Sequence, residues 1–295
     1  MPELPEVETV RRRLRPLVVG RTVHSAWGHP SPKFASAVEA SGATITDVTR
    51  RGKYLLIALD DDRELVVHLG MTGVLRPRPV GPPDPYVRAW WALGDTALGD
   101  TALGDTALDD TALGDTALDD TALDDTVLEL RDVRRFGRIA VVPAGEHASL
   151  PTLAALGPEP FDDAFTPEAL WRDLRATKVR VKTRLLSQRP VAGVGNIYAD
   201  EALWAAGVHP SRRGITRRQA AALHGALREV LAAGIEHGGT TLRDYRGVDG
   251  RPGEHQLHLR CYGRAGEPCE RCGTELRRLV VDARGTTVCP TCQPR

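Results

Sequence analysis

Cys269-Glu-Arg-Cys272, a gap of sixteen residues, then Cys289-Pro-Thr-Cys292 is the most informative stretch of this 295-residue chain. Two Cys-x-x-Cys pairs on tight turns offer four thiolates in tetrahedral array, which suits zinc. Four protein ligands leave no position for a reacting water, so the ion is expected to be structural. A redox or disulfide role for the pairs is the alternative. Residues 276–283 and 286–288 between the pairs read as the strands of a hairpin, which makes this unit a zinc ribbon. Cys261 is left over and reads as a small buried apolar side chain or an inert thiol.

Upstream of the ribbon the pattern is helical. Thr166 is a candidate N-cap for a helix over 167–176, and further helices are expected over 181–188, 197–206 and 217–237. In the last of these, Leu223, Leu227, Val230, Leu231 and Ile235 share one face, and Gly238-Gly239 end it. Gly193-Val-Gly195-Asn196 opens the third helix, where free N–H groups suit a phosphate; Lys178, Arg180 and Lys182 lie just before it. The Gly/Arg/Asp-rich residues 239–260 read as a mobile loop.

The first half is β-rich. Strands are expected at 22–27, 43–49, 53–58, 64–69, 87–93, 127–131 and 138–142, a series that suggests a sandwich or barrel. A helix over 2–15 precedes them. Pro5 suits its first turn, Glu3, Glu6 and Glu8 complement the positive end of its dipole, and Val7, Val10, Leu14 and Leu17 recur at helical spacing.

The charge balance misleads at first sight. Lysine plus arginine and aspartate plus glutamate each total 39. Residues 92–126, however, are seven copies of Ala-Leu-(Gly/Asp)-Asp-Thr, with ten aspartates and no base. The rest of the chain therefore carries a surplus of ten positive charges, which points to nucleic acid. A period of five fits neither helix nor strand, so the repeat reads as an acidic insertion in a hairpin turn between the strands at 87 and 127. It is a replicated tract without function or, alternatively, a regulatory or DNA-mimicking segment. No apolar run approaches the roughly 20 residues that cross a bilayer, and the acidic N-terminus argues against a secretory signal.

Proline at position 2 adds a chemical possibility. Trimming of Met1 exposes a secondary amine, partly unprotonated near neutral pH and able to form a Schiff base with a sugar carbon. Glu3 beside it reads either as a general acid or as a helix N-terminal charge.

Long motifs then carry a family resemblance. They are Met1-Pro-Glu-Leu-Pro-Glu-Val-Glu-Thr9, Arg51-Gly-Lys53-Tyr-Leu-Leu, His68-Leu-Gly-Met71-Thr-Gly and Asp132-Val-Arg134-Arg-Phe136-Gly. Leu156-Gly-Pro-Glu-Pro and Gln188-Arg-Pro-Val-Ala-Gly-Val-Gly-Asn196-Ile-Tyr-Ala-Asp-Glu follow. Gly238-Gly-Thr-Thr-Leu-Arg-Asp-Tyr245 and Tyr262-Gly-Arg-Ala-Gly-Glu-Pro-Cys269 complete the series. The chain, apart from the pentapeptide insertion, resembles the formamidopyrimidine-DNA glycosylases, the Fpg/MutM branch of the Fpg/Nei family.

The resemblance implies an α+β multidomain protein. An N-terminal antiparallel β-sandwich with a leading helix would span 1–145 and include the 92–126 insertion. A helix–two-turn–helix domain would span 146–240, and a lesion-capping loop with the C-terminal zinc ribbon 241–295. It further implies a bifunctional glycosylase and abasic-site lyase that excises oxidised purines from damaged double-stranded DNA. Pro2 would be the nucleophile, Glu3 a proton relay, Lys53 the β-elimination proton donor, and Arg284 the residue of δ-elimination and phosphate contact. Met71, Arg134 and Phe136 would fill the stack vacated by the extruded base. Lys178 and Asn196 would hold phosphates, and Cys269, Cys272, Cys289 and Cys292 one structural zinc. A monomer in the bacterial cytoplasm, associated with the nucleoid and with no membrane partner, completes the expectation.

Three departures accompany it. Asp84 stands where the family usually has histidine, Val133 replaces the proline of Asp-Pro-Arg-Arg-Phe, and the insertion is additional. The competing readings are a Nei-like enzyme for oxidised pyrimidines and a catalytically silent zinc DNA-binding relative. Leu4-Pro5 and residues 238–245 favour the purine branch.

Overall fold

The computed structural model describes residues 2–81, 84–95, 126–242 and 245–295. Helix α1 (Leu4–Val18) comes first. Pro5 lies in its first turn, where a missing N–H costs nothing, and the Glu3 N–H donates to Glu6 Oε2 at 2.7 Å. Eight strands follow: β1 (Arg21–Gly28), β2 (Ile45–Arg51), β3 (Tyr54–Leu59), β4 (Arg63–His68), β5 (Gly73–Pro79), β6 (Val87–Asp95), β7 (Thr126–Asp132) and β8 (Arg138–Pro143). They form two antiparallel sheets, ordered β1-β6-β7-β5 and β2-β3-β4-β8. The inner faces of the sandwich and α1 share one core, in which Val7, Val10 and Leu14 pack with Ile57, Leu75, Trp91 and Leu130.

Strand β5 is absent from the expected series. Its sequence, Gly-Val-Leu-Arg-Pro-Arg-Pro, looks like a loop because proline cannot donate to a ladder. The strand is an edge of its sheet, the position where that loss is tolerated. β6 and β7 pair with Leu93 opposite Thr126, so the chain leaves at Asp95 and returns beside it. Residues 92–95 of the expected insertion thus belong to β6 and Thr126 to β7, because the pairing of these strands continues into the repeat, and residues 96–125 lie outside the described residues.

Helix α2 (Pro151–Ala154) packs on the sandwich, where Leu153 clusters with Tyr54, Val66 and Val142, and the second lobe contains α3 (Pro167–Arg175), α4 (Val181–Leu186), α5 (Asn196–Ala205) and α6 (Arg217–Glu236). Thr166 and Thr216 cap α3 and α6 by accepting from Ala169 N at 3.1 Å and Gln219 N at 3.2 Å. Leu170, Leu185, Leu203, Leu223 and Leu227 form its core, and Leu4 of α1 belongs to that cluster. One helix therefore contributes its first turn to one core and its remainder to the other.

The ribbon hairpin is β9 (Arg277–Val281) and β10 (Arg284–Val288), joined by Asp282 and Ala283 at φ 46° and 64°. Two left-handed residues in succession are what a two-residue turn of the favoured hairpin hand needs. Trp204, Cys261, Cys269, Leu276 and Cys289 form a small separate core under it. Among the described residues no helix is long and apolar enough to cross a membrane.

Candidate functional site

Pro2 and Glu3 are buried where α1 meets the start of α5. The Leu4 N–H donates to Gly193 O at 3.0 Å. The Glu3 carboxylate accepts from the backbone N–H groups of Gly195, Ile197 and Tyr198 at 2.7, 2.9 and 3.4 Å. A Cβ on Gly195 would lie 2.3 Å from Glu3 Cδ, so glycine is required there by the approach of the carboxylate. This corrects the reading of the Gly-Val-Gly-Asn turn as a phosphate cradle: a side chain of the protein already occupies these helix-terminal donors.

Glu6, read from sequence only as a dipole charge, sits at the centre of a buried network. Its Oε1 accepts from Tyr198 Oη at 2.9 Å and Thr240 N at 2.6 Å, while its Oε2 accepts from Glu3 N at 2.7 Å. Tyr245 Oη donates to the Glu6 backbone carbonyl at 3.2 Å. Burial, with the charge of Glu3 adding, pushes the Glu6 pKa from 4.5 up to about 7, against the hydrogen bonds that favour the carboxylate. Periodicity does not reveal such a group, because its partners are separated from it by 192 and 234 residues.

Lys53 is buried at the turn between β2 and β3, where Gly52 adopts φ +56°. A clamp from the second lobe fixes this turn. Arg51 Nη1 and Gly52 N donate to Glu159 Oε1 at 3.0 and 2.6 Å, Arg51 Nη2 donates to Gly157 O at 2.6 Å, and Arg50 pairs with Glu159 at 2.7 Å. The Leu-Gly-Pro-Glu-Pro motif thus holds the loop that carries Lys53. Burial draws the Lys53 pKa down, Glu3 and Glu6 oppose that, and the Arg284 guanidinium reinforces it. The neighbouring His68 is drawn down to about 4 by burial and then by Lys53 and Arg138.

Arg284 is exposed at the start of β10. The strand is docked by a buried ion pair: Lys182 Nζ lies 2.6 Å from Asp200 Oδ1 and donates to Thr286 Oγ1 at 2.7 Å, and Thr287 N donates to Asp200 Oδ2 at 3.0 Å. Burial dominates Asp200, whose pKa rises to about 6 despite Lys182. The sequence suggests Lys182 as a free cation beside a phosphate site; instead it is shut from water by this pairing. Asn196 Nδ2 donates to Gly285 O at 3.1 Å. Lys178 is exposed in the loop between α3 and α4.

Met71 and Phe136 are 37% and 48% exposed, and Arg134 projects beside them with its guanidinium 4.8 Å from the Phe136 ring centre. Their two loops share one buried carboxylate. Asp132 accepts from Thr72 Oγ1 at 2.6 Å and Gly137 N at 2.7 Å, and Thr72 Oγ1 accepts from Arg134 N at 3.1 Å. Asp84 accepts from Arg131 Nε at 2.5 Å, so it serves an ion pair within the sandwich.

The sulfurs of Cys269, Cys272, Cys289 and Cys292 all lie within 4.8 Å of one another, with 3.5 Å between Cys272 and Cys289 and 4.0 Å between Cys269 and Cys292. Four Zn–S bonds of about 2.3 Å at tetrahedral angles put sulfurs roughly 3.8 Å apart, so the donor set fits one structural zinc. Trp204 Nε1 donates to Cys269 Sγ at 3.3 Å, the kind of outer contact that orients a thiolate. Cys261 is buried outside this set, with its thiol near the Thr287 carbonyl at 3.2 Å.

The comparisons with known proteins agree along the chain. Residues 1–139 match the formamidopyrimidine-DNA glycosylase N-terminal domain, residues 156–246 the formamidopyrimidine-DNA glycosylase H2TH domain, and residues 266–295 a zinc finger found in FPG and IleRS. The formamidopyrimidine-DNA glycosylase of Deinococcus radiodurans is 42% identical over 307 residues, which cover 100% of this chain and 98% of that protein. The crystal structure of the MutM (Fpg) protein from Thermus thermophilus is similar with a TM-score of 0.83 at 44% identity, covering 99% of this chain and 98% of that one. A Lactococcus lactis Fpg variant in complex with Fapy-dG-containing DNA is similar with a TM-score of 0.82 at 32% identity, covering 100% of both chains. With its sandwich, helical and zinc modules matched in order, this chain belongs to the formamidopyrimidine-DNA glycosylase family.

Proposed function

We propose that this protein is a base-excision repair enzyme that removes 8-oxoguanine and formamidopyrimidines from duplex DNA and then cuts the abasic strand. The observation that carries the mechanism is the grouping beside Pro2 of three unlike functions. They are a carboxylate fixed on backbone donors (Glu3), a buried amine drawn toward neutrality (Lys53) and an exposed guanidinium in the same field (Arg284).

Removal of Met1 frees the Pro2 nitrogen. Its lone pair attacks C1′ of the damaged nucleotide, the bond from C1′ to the base breaks, and the base leaves with a proton. Glu3 relays the proton that opens the sugar ring at O4′, leaving an iminium between Pro2 and C1′. The iminium acidifies the C2′ proton; its loss expels the 3′ phosphate, and a second elimination expels the 5′ phosphate. Lys53 donates the proton of the first elimination, and Arg284 holds phosphate in the second. Met71, Arg134 and Phe136 fill the emptied stack, Lys178 and Asn196 hold flanking phosphates, and residues 239–256 close over the extruded base. The zinc, when bound, supplies no reaction step and fixes the ribbon that carries Arg284.

In this reading residues 1–145 form the catalytic lobe, 146–240 the helical DNA-binding domain and 241–295 the capping loop with the ribbon. The enzyme works as a monomer in the cytoplasm, at the nucleoid. Borohydride trapping on duplexes carrying 8-oxoguanine or an oxidised pyrimidine tests it. The expected result is a covalent adduct, favouring 8-oxoguanine, that Pro2→Gly largely abolishes. Adducts preferring the pyrimidine assign the Nei-like specificity, and none on either duplex leaves a silent DNA-binding relative.

A further inference from the structure

The rings of Tyr198, His255, His237 and His258 form one column that runs from the interior to the surface. Successive ring centres are 5.5, 5.3 and 3.8 Å apart, with planes inclined by 19°, 20° and 6°. His255 is 4% exposed, His237 is half-buried and His258 is exposed. His237 is the C-cap of α6, and His255 and His258 bound a short 3₁₀ turn (His255–His258), in which side chains three apart eclipse. The column therefore ties the helix end to that turn. Two backbone bonds run beside it: Glu254 N donates to His237 O at 2.9 Å, and His255 N to Gly239 O at 3.1 Å. The Nδ1 atoms of His237 and His255 share a hydrogen bond at 3.1 Å.

No acid balances these three bases. Among the described residues none of them has a carboxylate at ion-pair distance, unlike His147, which meets Glu64. From α5, Glu201 accepts from the N–H groups of Arg260, Cys261 and Tyr262 at 3.0, 2.8 and 2.7 Å. Glu229 of α6 and Arg260 line, with Glu201, an adjoining cavity of about 240 Å³. From α1, Arg13 approaches Gly238 and pairs with Asp249 at 2.9 Å, and Glu6 meets the column only through Tyr198 Oη. Glu254, next to His255 in the chain, is exposed. Nor do the rings converge as metal ligands: among the described residues only the four ribbon cysteines bring three or more such atoms together.

A hydrogen bond between two Nδ1 atoms contains one proton. A proton added to the accepting nitrogen sets N–H against N–H and ends the bond, and a second charge in the column repels the first where no counter-ion stands. Burial, then the charges of His237 and His258, draw the His255 pKa from 6.5 down to about 4. For a base held below its ordinary pKa, the stability gained is complete above pH 6.5 and is lost as pH falls toward 4.

We infer that the three histidines form an acid-released clamp: neutral, they fasten the end of α6 to the His255–His258 turn and keep Tyr198 and Thr240 on Glu6, and on protonation they part and free the turn. The release is local, so it costs the fold no more than the clamp itself contributes.

The test is hydrogen exchange on the full, zinc-loaded chain, corrected for the intrinsic pH dependence of exchange. The Glu254 and His255 amides should lose protection by about twentyfold between pH 7 and 5, the fall that uptake of one proton by His255 produces. Amides of β3 and β4 should stay level. His255→Phe keeps a ring against Tyr198 and takes up no proton, so its profile should be level at all positions. An NMR titration of the natural chain decides the matter where that variant folds poorly: His255 should titrate below pH 5. A level profile in the natural chain, an equally steep one in His255→Phe, loss of protection in β3 and β4 together with the turn, or His255 titrating at its ordinary 6.5 each overturns the clamp. None of these readouts involves base excision, so the outcome is independent of the catalytic reading.

Discussion

In the sandwich, Ile57, Trp91 and Leu130 are shut from water by two sheets and a helix. In the ribbon, β9 and β10 form a single two-stranded layer, and its core consists of Trp204, Cys261, Leu276 and the two cysteines Cys269 and Cys289. Both are antiparallel β-structures, yet the first is held by apolar burial and the second has too little of it. A lone hairpin is marginal in water. The ribbon must draw its stability from four thiolates around one ion and from its docking on α5. The lobe that carries Pro2 should therefore be stable in itself, and the unit that carries Arg284 conditional.

The strongest way to break this contrast is at the metal. Structural zinc contributes on the order of 10 kcal/mol in small zinc-binding units. Cys272→Ser, or removal of the ion by a chelator, should strip hydrogen-exchange protection from 277–288 and leave β3 and β4 protected. Loss of protection in both would show that the sandwich also depends on zinc.

Trp91→Ala attacks the other side. It empties a large buried site and deletes the bond from Trp91 Nε1 to Ala37 O at 3.0 Å. A loss of about 3–5 kcal/mol is expected in urea unfolding of the sandwich, with zinc content unchanged. Lys182→Ala strikes between the two regions. It leaves Asp200 buried without its cation, a change that typically costs about 3–5 kcal/mol. Exchange at 284–288 should accelerate while the thiolates keep their metal.

Glu6 sharpens the comparison through pH. Its folded pKa lies above its ordinary value, so the stability it contributes is present in full below pH 4.5 and is lost as pH rises through about 7. The loss is roughly 3 kcal/mol for a shift of this size. Unfolding free energies measured from pH 4.5 to 8 should fall along that window in the natural protein, and the fall should flatten in Glu6→Gln. The smallest effect belongs to Phe136→Ala. Stability should move by less than about 0.5 kcal/mol, because the ring is a surface group, while binding to a duplex with an abasic site weakens several-fold.

These contrasts also separate what the sequence discloses from what it hides. The thiolate spacing carries the ribbon, because coordination fixes residue type and interval together. Seven strands are visible as short β-prone runs, and β5 is hidden because Pro77 and Pro79 are tolerated only at an edge that pairing order defines. The site divides in the same way. Pro2, Glu3, Lys53 and Arg284 stand in motifs that a reader can recognise. Glu6, Glu159 and Asp200 take their roles from partners far away in the chain, and Lys182, read from sequence only as one of the bases before the Gly-x-Gly-Asn turn, is the cation of a buried internal pair.

The bond from Gly195 to Glu3 has a consequence in time. The chain is made from its N-terminus, at about 5–20 residues per second. The donors that enclose Glu3 belong to residues 195, 197 and 198, so for roughly 10–40 seconds of synthesis the first residues have no pocket to enter. An aminopeptidase can reach Met1 freely during that interval. Once α5 has been made, Pro2 and Glu3 are drawn into the interior. Trimming of the proposed nucleophile therefore has its freest access while the chain is still being made, before the three donors enclose Glu3.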